Sequence, residues 1–417
     1  MSGASMQRAL RWLRRTLAVV FGVPVLIGIA MSLVDSYRRR GKKPKPFPTT
    51  PPETVEVGEV GITTYTFGQD VYADMLGAIG RAQRQVLFET YIWKGDEVGE
   101  QFKAALVAAA ERGVEVYCIY DGFANLVVSP RFKRFPTSLK VLRYPVYGAG
   151  WRFFDLRRYG RDHRKILVVD DTEGYVGGYN IGTAYETEWR DTHVRVTGPA
   201  VQDLRRAFAD FWNLHRRRRF RASERPLLVE TASAWEPRVR FHRNVPRLWM
   251  FPIRGMYIEA INRASRNIWM THAYFIPDTD FVEALTAAAR RGVDVRLLVP
   301  LKSNHVVADW LSRGYFAQLL EAGVRIFRFK DAMVHAKTST VDGSWVTVGT
   351  ANIDRLSLTG NYEINMEVID PDFAAALEEV YRTDESNCIE LTRGEWEARD
   401  LHRRFTEMVL RPLRPLL

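Results

Sequence analysis

The sequence predicts an α/β protein built from two similar halves related by a pseudo-twofold, preceded by a single membrane-spanning helix. Three observations predict it. A 19-residue run near the amino end carries no charge, helix–strand alternation occurs twice along the chain, and six chemically distinctive residues recur at one fixed offset. The expected division is a basic segment 1–15, a transmembrane helix 16–34, a basic and Pro-rich linker 35–57, and two α/β domains, 58–225 and 226–417. With 417 residues and 46% hydrophobic content, the chain has material for two cores.

The amino end comes first. Residues 1–50 hold ten Lys or Arg against one acid, Asp35, so this segment carries +9 of the chain's net +11 and leaves +2 for the rest. A nucleic-acid-binding domain would spread its cations over the face that meets phosphates, and here they flank "TLAVVFGVPVLIGIAMSLV", residues 16 to 34. At the helical rise this run nearly matches the roughly 30 Å of bilayer hydrocarbon. Pro24 and Gly28 are tolerable within a span. The alternative is a signal peptide cleaved near "AMS" (30 to 32), but the run is long for a signal core and cations follow it at once. Cations on both sides leave the orientation open. "KKPKPFPTTPPE" (42 to 53) then reads as a stiff spacer, and the polybasic stretch before it suits anionic headgroups. The expected location is a cell membrane, crossed once.

Beyond residue 60 the chain repeats. "DMLGAIGRAQRQVLFETYIW" (74 to 93) and "GMYIEAINRASRNIWMTHAYF" (255 to 275) each read as helix then strand. "AALVAAAERGVEVYCIYD" (104 to 121) and "EALTAAARRGVDVRLLVP" (283 to 300) each read as an amphipathic helix, a glycine stop at Gly113 or Gly292, and a buried strand. Such alternation predicts a parallel or mixed sheet covered by helices in each half. Cys118 and Cys388 are too few for a disulfide framework and read as small core residues, which permits a reducing compartment.

The chemistry lies in "DHRKILVVDDTEGYVGGYN" (162 to 180) and "MVHAKTSTVDGSWVTVGTAN" (333 to 352). His163, Lys165 and Asp170 match His335, Lys337 and Asp342 at an offset of 172, and so do Gly177 with Gly349, Asn180 with Asn352, and Asp191 with Glu363. In a strand, residues i and i+2 share a face, so each His and Lys present to one surface while the apolar residues after them enter the sheet. Asp342-Gly343, and Asp171 to Gly174, read as hairpin turns. One such pair could be purely structural. Two in register, brought together by a twofold, make one site with two imidazoles and two ammonium groups.

That inventory suits a phosphodiester. The ammonium groups can hold non-bridging oxygens and offset the charge of a pentavalent transition state. One imidazole can attack phosphorus while the other protonates the leaving oxygen and later deprotonates the acceptor. Asp191 and Glu363, each 28 residues after a motif histidine, are expected to accept the rings' other N–H groups. Asn180 and Asn352 are expected to add amide donors to the phosphate. A metal site fits poorly, because adjacent lysines repel a cation and no ligand cluster is completed.

These residues carry a resemblance. Residues 58–417 resemble the phospholipase D superfamily with its paired HKD motifs, and its bacterial cardiolipin synthase branch in particular, through "RDHRKILVVD", "GGYNIG", "EWRDTHVRVTGPAV", "YFIPD", "MVHAKTSTVDGSWVTVGTANIDRLS", "NYEIN" and the "RPLRPLL" tail. The resemblance implies two similar α/β/α domains around one active site and metal-independent, two-step phosphatidyl transfer through a phosphohistidine. His163, Lys165, Asp170, His335, Lys337 and Asp342 would be catalytic, with His163 the attacking ring. Neither cofactor, nucleic acid nor stable protein partner is expected; anionic phospholipid and the membrane are. Thr350 stands where many relatives have Ser, which retains a hydroxyl.

Smaller readings concern the surroundings. The stretch "YPVYGAGWRFFDLRRYGRD" (144 to 162), with Arg152, Arg157, Arg158 and Arg161, reads either as a mobile lip touching headgroups or as a solvated loop. "HRRRRFR" (215 to 221) coats a helix end or faces the membrane. Tyr91, Trp93, Tyr274 and Phe275 sit at strand ends, as core or as acyl contacts, and His193 shares the strand face of Asp191. Three functions follow: a phosphatidyltransferase joining two phosphatidylglycerols, a phosphodiester hydrolase, and a non-enzymatic membrane scaffold. Two complete motifs argue against the scaffold, and the weak charge of residues 51–417 argues against a nuclease.

Overall fold

The computed structural model describes residue 12 and residues 45–146, 159–216, 226–228 and 236–398. The predicted span 16–34, residues 35–44 of the linker, the middle of the Arg-rich stretch 144–162, most of "HRRRRFR" and the "RPLRPLL" tail lie outside the described residues; the end of the expected linker, Glu53–Val57, is instead strand β1 of the first sheet. Among the described residues no helix is long and apolar enough to cross a membrane.

The first half contributes β1 (Glu53–Val57), β2 (Val60–Tyr65), β3 (Gln85–Thr90), β4 (Glu115–Asp121), β5 (Lys140–Tyr144), β6 (Ile166–Val169), β7 (Glu173–Gly177), β8 (Trp189–Arg190) and β9 (His193–Thr197). All but β8 form one mixed sheet in the order β1-β2-β9-β7-β6-β3-β4-β5. The second half contributes β10 (Val239–Asn244), β11 (Asn267–His272), β12 (Phe275–Ile276), β13 (Asp294–Pro300), β14 (Arg325–Phe329), β15 (Met333–Val334), β16 (Lys337–Val341), β17 (Trp345–Gly349), β18 (Ile353–Asp354), β19 (Glu363–Ile369) and β20 (Cys388–Leu391). Its sheet runs β10-β19-β17-β16-β11-β13-β14-β20. Parallel strands β3, β4 and β5 correspond to β11, β13 and β14, with antiparallel hairpins β6–β7 and β16–β17 beside them.

Helix–strand pairs form where the periodicity places them. Helices Gly68–Arg81 and Pro252–Arg263 lead into β3 and β11, and helices Glu97–Glu111 and Thr279–Arg290 lead into β4 and β13. Asp96 and Asp278 cap the latter two, each accepting from the backbone three residues on. Gly113 and Gly292 follow at φ 93° and 92°, the left-handed stop that glycine adopts without a Cβ clash. The hairpin turns differ slightly from expectation. In the first half the turn is Asp170–Thr172, and Gly174 already lies in β7.

Each sheet packs one face on its own helices and the other on a core shared by both halves. In that shared core, helix Val201–His215 brings Leu204, Phe208 and Trp212, helix Pro371–Ser386 brings Phe373, Leu377 and Val380, and strand residues such as Val168, Val194, Val348 and Ile364 complete it. Cys118 is buried in the first half's other core, a packing role as expected. Two short parallel pairings stitch the halves. Strand β15 pairs with β8, Val334 opposite Arg190, and Asp162 bridges Tyr362. Both pairs obey the 172 offset, so the twofold extends to the backbone.

Candidate active site

The site is assembled where these two stitches meet. Strand sterics place His163 just before β6 and His335 just before β16, with Lys165 and Lys337 two residues on. The backbone N–H of His163 donates to Tyr362 O (3.1 Å), and that of His335 donates to Arg190 O (2.6 Å). One residue further along each partner strand stands a carboxylate. His163 Nδ1 lies 3.0 Å from Glu363 Oε2, and His335 Nδ1 lies 2.6 Å from Asp191 Oδ2. Each acid therefore serves the ring of the opposite half. Counting 28 residues along one chain segment pairs them within a half, and the structure corrects that: β15 lies beside β8, so residue 191 arrives next to residue 335.

Burial dominates the electrostatics. Lys165 and Lys337 are almost completely enclosed. Loss of hydration lowers Lys165 to about 7, the neighbouring Lys337 acting in the same sense and Glu363 against it, and it lowers Lys337 to about 8. Burial first, and the two ammonium groups second, push His163 far below its ordinary value. Burial and Lys337 take His335 down to about 3. Both rings are thus biased towards the neutral form. Each ring feels the lysine of the other half. The acids behind the rings diverge. Burial raises Glu363 to about 8, whereas Lys337, His335 and a hydrogen bond to that ring more than offset burial at Asp191 and hold it below the ordinary carboxylate range.

Local sequence differs behind the two acids, although the Thr350 hydroxyl opposes the rise at Glu363, which burial causes. At the position equivalent to Thr350, 172 residues earlier, stands Gly178. Thr350 Oγ1 donates to Glu363 Oε2 at 2.5 Å, so the hydroxyl that the second motif retains has a task. A Cβ at Gly178 would collide with the Asp191 carboxylate, so only glycine leaves that acid its place. Neither role was evident from the motif, although the shared register of 178 and 350 was the available signal. Arg190, wholly buried, forks onto both oxygens of Asp384 (2.8 and 2.9 Å) from the opposite half. It also donates to the Asp191 carbonyl, which locks the strand carrying that acid. In front of His163, Arg164 reaches Glu89 (2.5 Å) and Asp162 (3.3 Å) in a cluster without solvent access. Burial, the largest cause at each, pushes both carboxyls up beside one guanidinium.

Other expected residues divide. Asp170 and Asp342 do not reach the site. Five residues beyond the lysines, about 16 Å along a strand, Asp170 accepts from the backbone N–H groups of Gln83, Arg84 and Gln85. Asp342 accepts equivalently from Ser265, Arg266 and Asn267. Both occupy left-handed turns at the far end of the hairpin, φ 50° and 52°, so their work is to tie strand ends. Asn180 is buried and accepts from Ile92 N at 3.1 Å, whereas Asn352 Oδ1 is buried without a partner among the described residues. Tyr91 stands edge-on to His163 at 4.8 Å, and Trp189 and Tyr274 do the same to His335 at 5.1 and 6.1 Å. Trp93 and Phe275 are core. His193 is enclosed, and loss of hydration lowers it to about 3. Its ring nitrogens find no partner among the described residues.

With two imidazoles, two amines and two carboxylates gathered at the seam between the halves, the arrangement can hold a phosphate, attack it and move a proton. Comparison with known proteins agrees. Residues 75–212 and 257–384 match the family model described as cardiolipin synthase, PLD-like domain. Cardiolipin synthase 2 of Bacillus cereus is 32% identical over 367 residues, covering 85% of this chain and 70% of that protein. Cardiolipin synthase of Clostridium perfringens is 30% identical over 369 residues, 85% of this chain and 77% of its own length. The crystal structure of a phosphatidylserine synthase from Haemophilus influenzae superposes with a TM-score of 0.65 over 89% of this chain and 95% of that one, at 15% identity. That last likeness bears on the fold alone.

Proposed function

The chain belongs to the cardiolipin synthase, phospholipase D-like family, and from that premise we infer its reaction: phosphatidyl transfer from one phosphatidylglycerol to another, giving cardiolipin and glycerol. In the first step His335 enters as the imidazolium, a form that the bound phosphodiester anion and the Asp191 carboxylate favour; His163 Nε2 attacks phosphorus, the bond to the headgroup glycerol breaks, and His335 gives that oxygen its Nε2 proton. In the second, a glycerol hydroxyl of another phosphatidylglycerol loses its proton to His335 and attacks the phosphohistidine, and the P–N bond breaks. Lys165 and Lys337 hold the non-bridging oxygens. Asn180 and Asn352 add amide contacts, and Glu363 and Asp191 orient the two rings.

Crossed pairing of rings and acids is the observation that carries this reading, because it makes one site out of two motifs. The roles are divided by the acids. The ring that must hold a proton gains most from an ionised carboxylate behind it, and Asp191, behind His335, is the one kept below the ordinary range. A single span at residues 16–34 fits an enzyme whose substrates never leave the bilayer.

The test uses purified full-length enzyme in mixed micelles of phosphatidylglycerol without divalent metal, with lipid products separated. Cardiolipin with equimolar glycerol is expected, whereas phosphatidic acid as the sole product would reassign the protein as a hydrolase. His163→Ala and His335→Ala each lower turnover by about a thousandfold or more. Labelled phosphate trapped on His335 rather than His163 would reverse the assignment of the rings.

A further inference from the structure

Two exposed apolar loops lie on either side of the segment that leads into His163. The first, residues 122–128, leaves the end of β4 and shows Phe123, Leu126 and Val127 to solvent, Val127 at 87% of its full exposure. The second, residues 245–250, leaves the end of β10 and shows Leu248, Trp249 and Met250, Trp249 at 65%. Isolated exposed apolar residues are ordinary. Six on two loops beside one segment are not.

Both loops leave the sheet edges that carry the site. Asn244, the last residue of β10, pairs with Glu363, the acid behind His163. At the end of β4, Asp121 accepts from the backbone of Asp162, one residue before His163. Between the loops runs the segment Tyr159–His163. The Arg161 guanidinium lies 5.7 Å from the Phe123 ring on one side, and a Cβ at Gly160 would come within 3.0 Å of Pro246 on the other.

The second loop is rigid. Val245 and Met250 exchange backbone hydrogen bonds (2.8 and 3.3 Å), and the Arg247 guanidinium donates to Leu214 O at 2.8 Å. Trp249 itself sits in the left-handed region at φ 54°, an uncommon conformation for a bulky residue. The backbone is therefore held so that a large indole stands in solvent. Charge has the matching sign. From Gly122 to Val146 there is no acid, and Arg131, Arg134 and Arg143 are exposed with no acidic partner among the described residues. Arg247 contributes another cation on the opposite loop, in a chain whose residues 51–417 net only +2.

We propose that these two loops form the face by which the catalytic part docks on an anionic phospholipid bilayer, with Trp249 and Val127 entering the interfacial layer and the arginines meeting headgroups. Indole at the headgroup level is where Trp is favoured, and each nearby cation adds to the attraction of an anionic surface. Docking this way aims the site at a lipid phosphorus that stays in its leaflet. The proposal rests on the reading of the substrate as a membrane phospholipid, and it concerns a surface separate from the predicted span at 16–34.

The experiment uses the full chain with Cys388→Ser, reconstituted in vesicles of equal phosphatidylglycerol and phosphatidylcholine. An environment-sensitive fluorophore is attached at Val127→Cys, at Trp249→Cys, or at Gln83→Cys, an exposed position on the opposite edge of the first sheet beside the Asp170 turn. Nitroxide-bearing lipid is expected to quench the labels at 127 and 249 several-fold more than the label at 83. Equal quenching at all three sites overturns the proposal. So does a label at 127 or 249 that is shielded in detergent in a protein-concentration-dependent way, since a second copy of the chain would then cover the face. In a second arm, Val127→Asp and Trp249→Asp lower turnover on vesicles about tenfold, the order expected from losing one buried apolar side chain. Turnover of short-chain, monomeric phosphatidylglycerol is unchanged; equal loss on both substrates counts against docking. Quenching needs no turnover, so failure to make cardiolipin and failure to dock are separate results.

Discussion

At the scale of single residues, the site is a compromise between stability and reactivity, and two substitutions expose it. Gly178→Ala puts a methyl group where the Asp191 carboxylate stands, so the acid shifts away from His335. Turnover falls about a hundredfold, the order seen for displacements near 1 Å, and substrate binding changes little; steady-state kinetics would separate the two. Lys165→Met stabilises the fold while abolishing transfer. An unfolded lysine keeps its proton up to pH 10.5, whereas folded Lys165 keeps it only to about 7. Between those values the native state holds fewer protons, so the native lysine's penalty is complete below pH 7, shrinks as pH rises, and is gone above 10.5. Glu363, already raised to about 8, can take a proton when its ammonium neighbour is lost. Denaturation of Lys165→Met is therefore expected to show a gain of roughly 1–3 kcal/mol at pH 6 and almost none at pH 10.5. His163, Lys165, His335 and Lys337 were legible from their spacing alone. Gly178 and the hydroxyl of Thr350 were not, since a motif reports which residue types recur and says nothing of what a missing side chain makes room for.

At the scale of elements, the third letter of each motif belongs to the hairpin. Asp170 and Asp342 were read with the histidines because they recur in the same register, and a recurring position is as well explained by a recurring turn as by recurring chemistry. Each accepts three backbone N–H groups from the helix–strand corner opposite. Asp342→Ala is expected to cost about 2–4 kcal/mol in chemical denaturation, through lost hydrogen bonds and a Cβ-bearing residue held at φ 52° without a polar side chain. Material that remains folded keeps near-native turnover, unlike the histidine variants. Burial opposes ionisation at these aspartates, but the backbone donors prevail and lower them. Their contribution is complete above pH 3.8 and is lost as acid protonates the folded carboxylates. Helices and parallel strands came out where apolar periodicity and the glycine stops put them. The first hairpin turn was misplaced because Asp170 and Asp171 adopt the left-handed conformation usually left to glycine, while Gly174 is used in a strand.

At the scale of the molecule, the halves are one cooperative body. They share a core, two parallel backbone stitches and the Arg190–Asp384 pair, which joins them through groups nearly without solvent access. Arg190→Met strands Asp384 as a buried carboxylate, and a loss of about 3–5 kcal/mol is expected, seen calorimetrically as one transition moved to lower temperature rather than two. The repeat announced the twofold, but which acid meets which ring depends on the halves lying edge to edge, and a register counted along one strand of sequence cannot carry that. The exchange of carboxylates between halves also has a stoichiometric consequence. A lone half-length chain could not furnish both a ring and the acid behind it, so a chain carrying one motif with this geometry would need a second copy to complete its site. Two of the many positions at which the halves differ, glycine against threonine at 178 and 350 and aspartate against glutamate at 191 and 363, lie directly behind the two imidazoles.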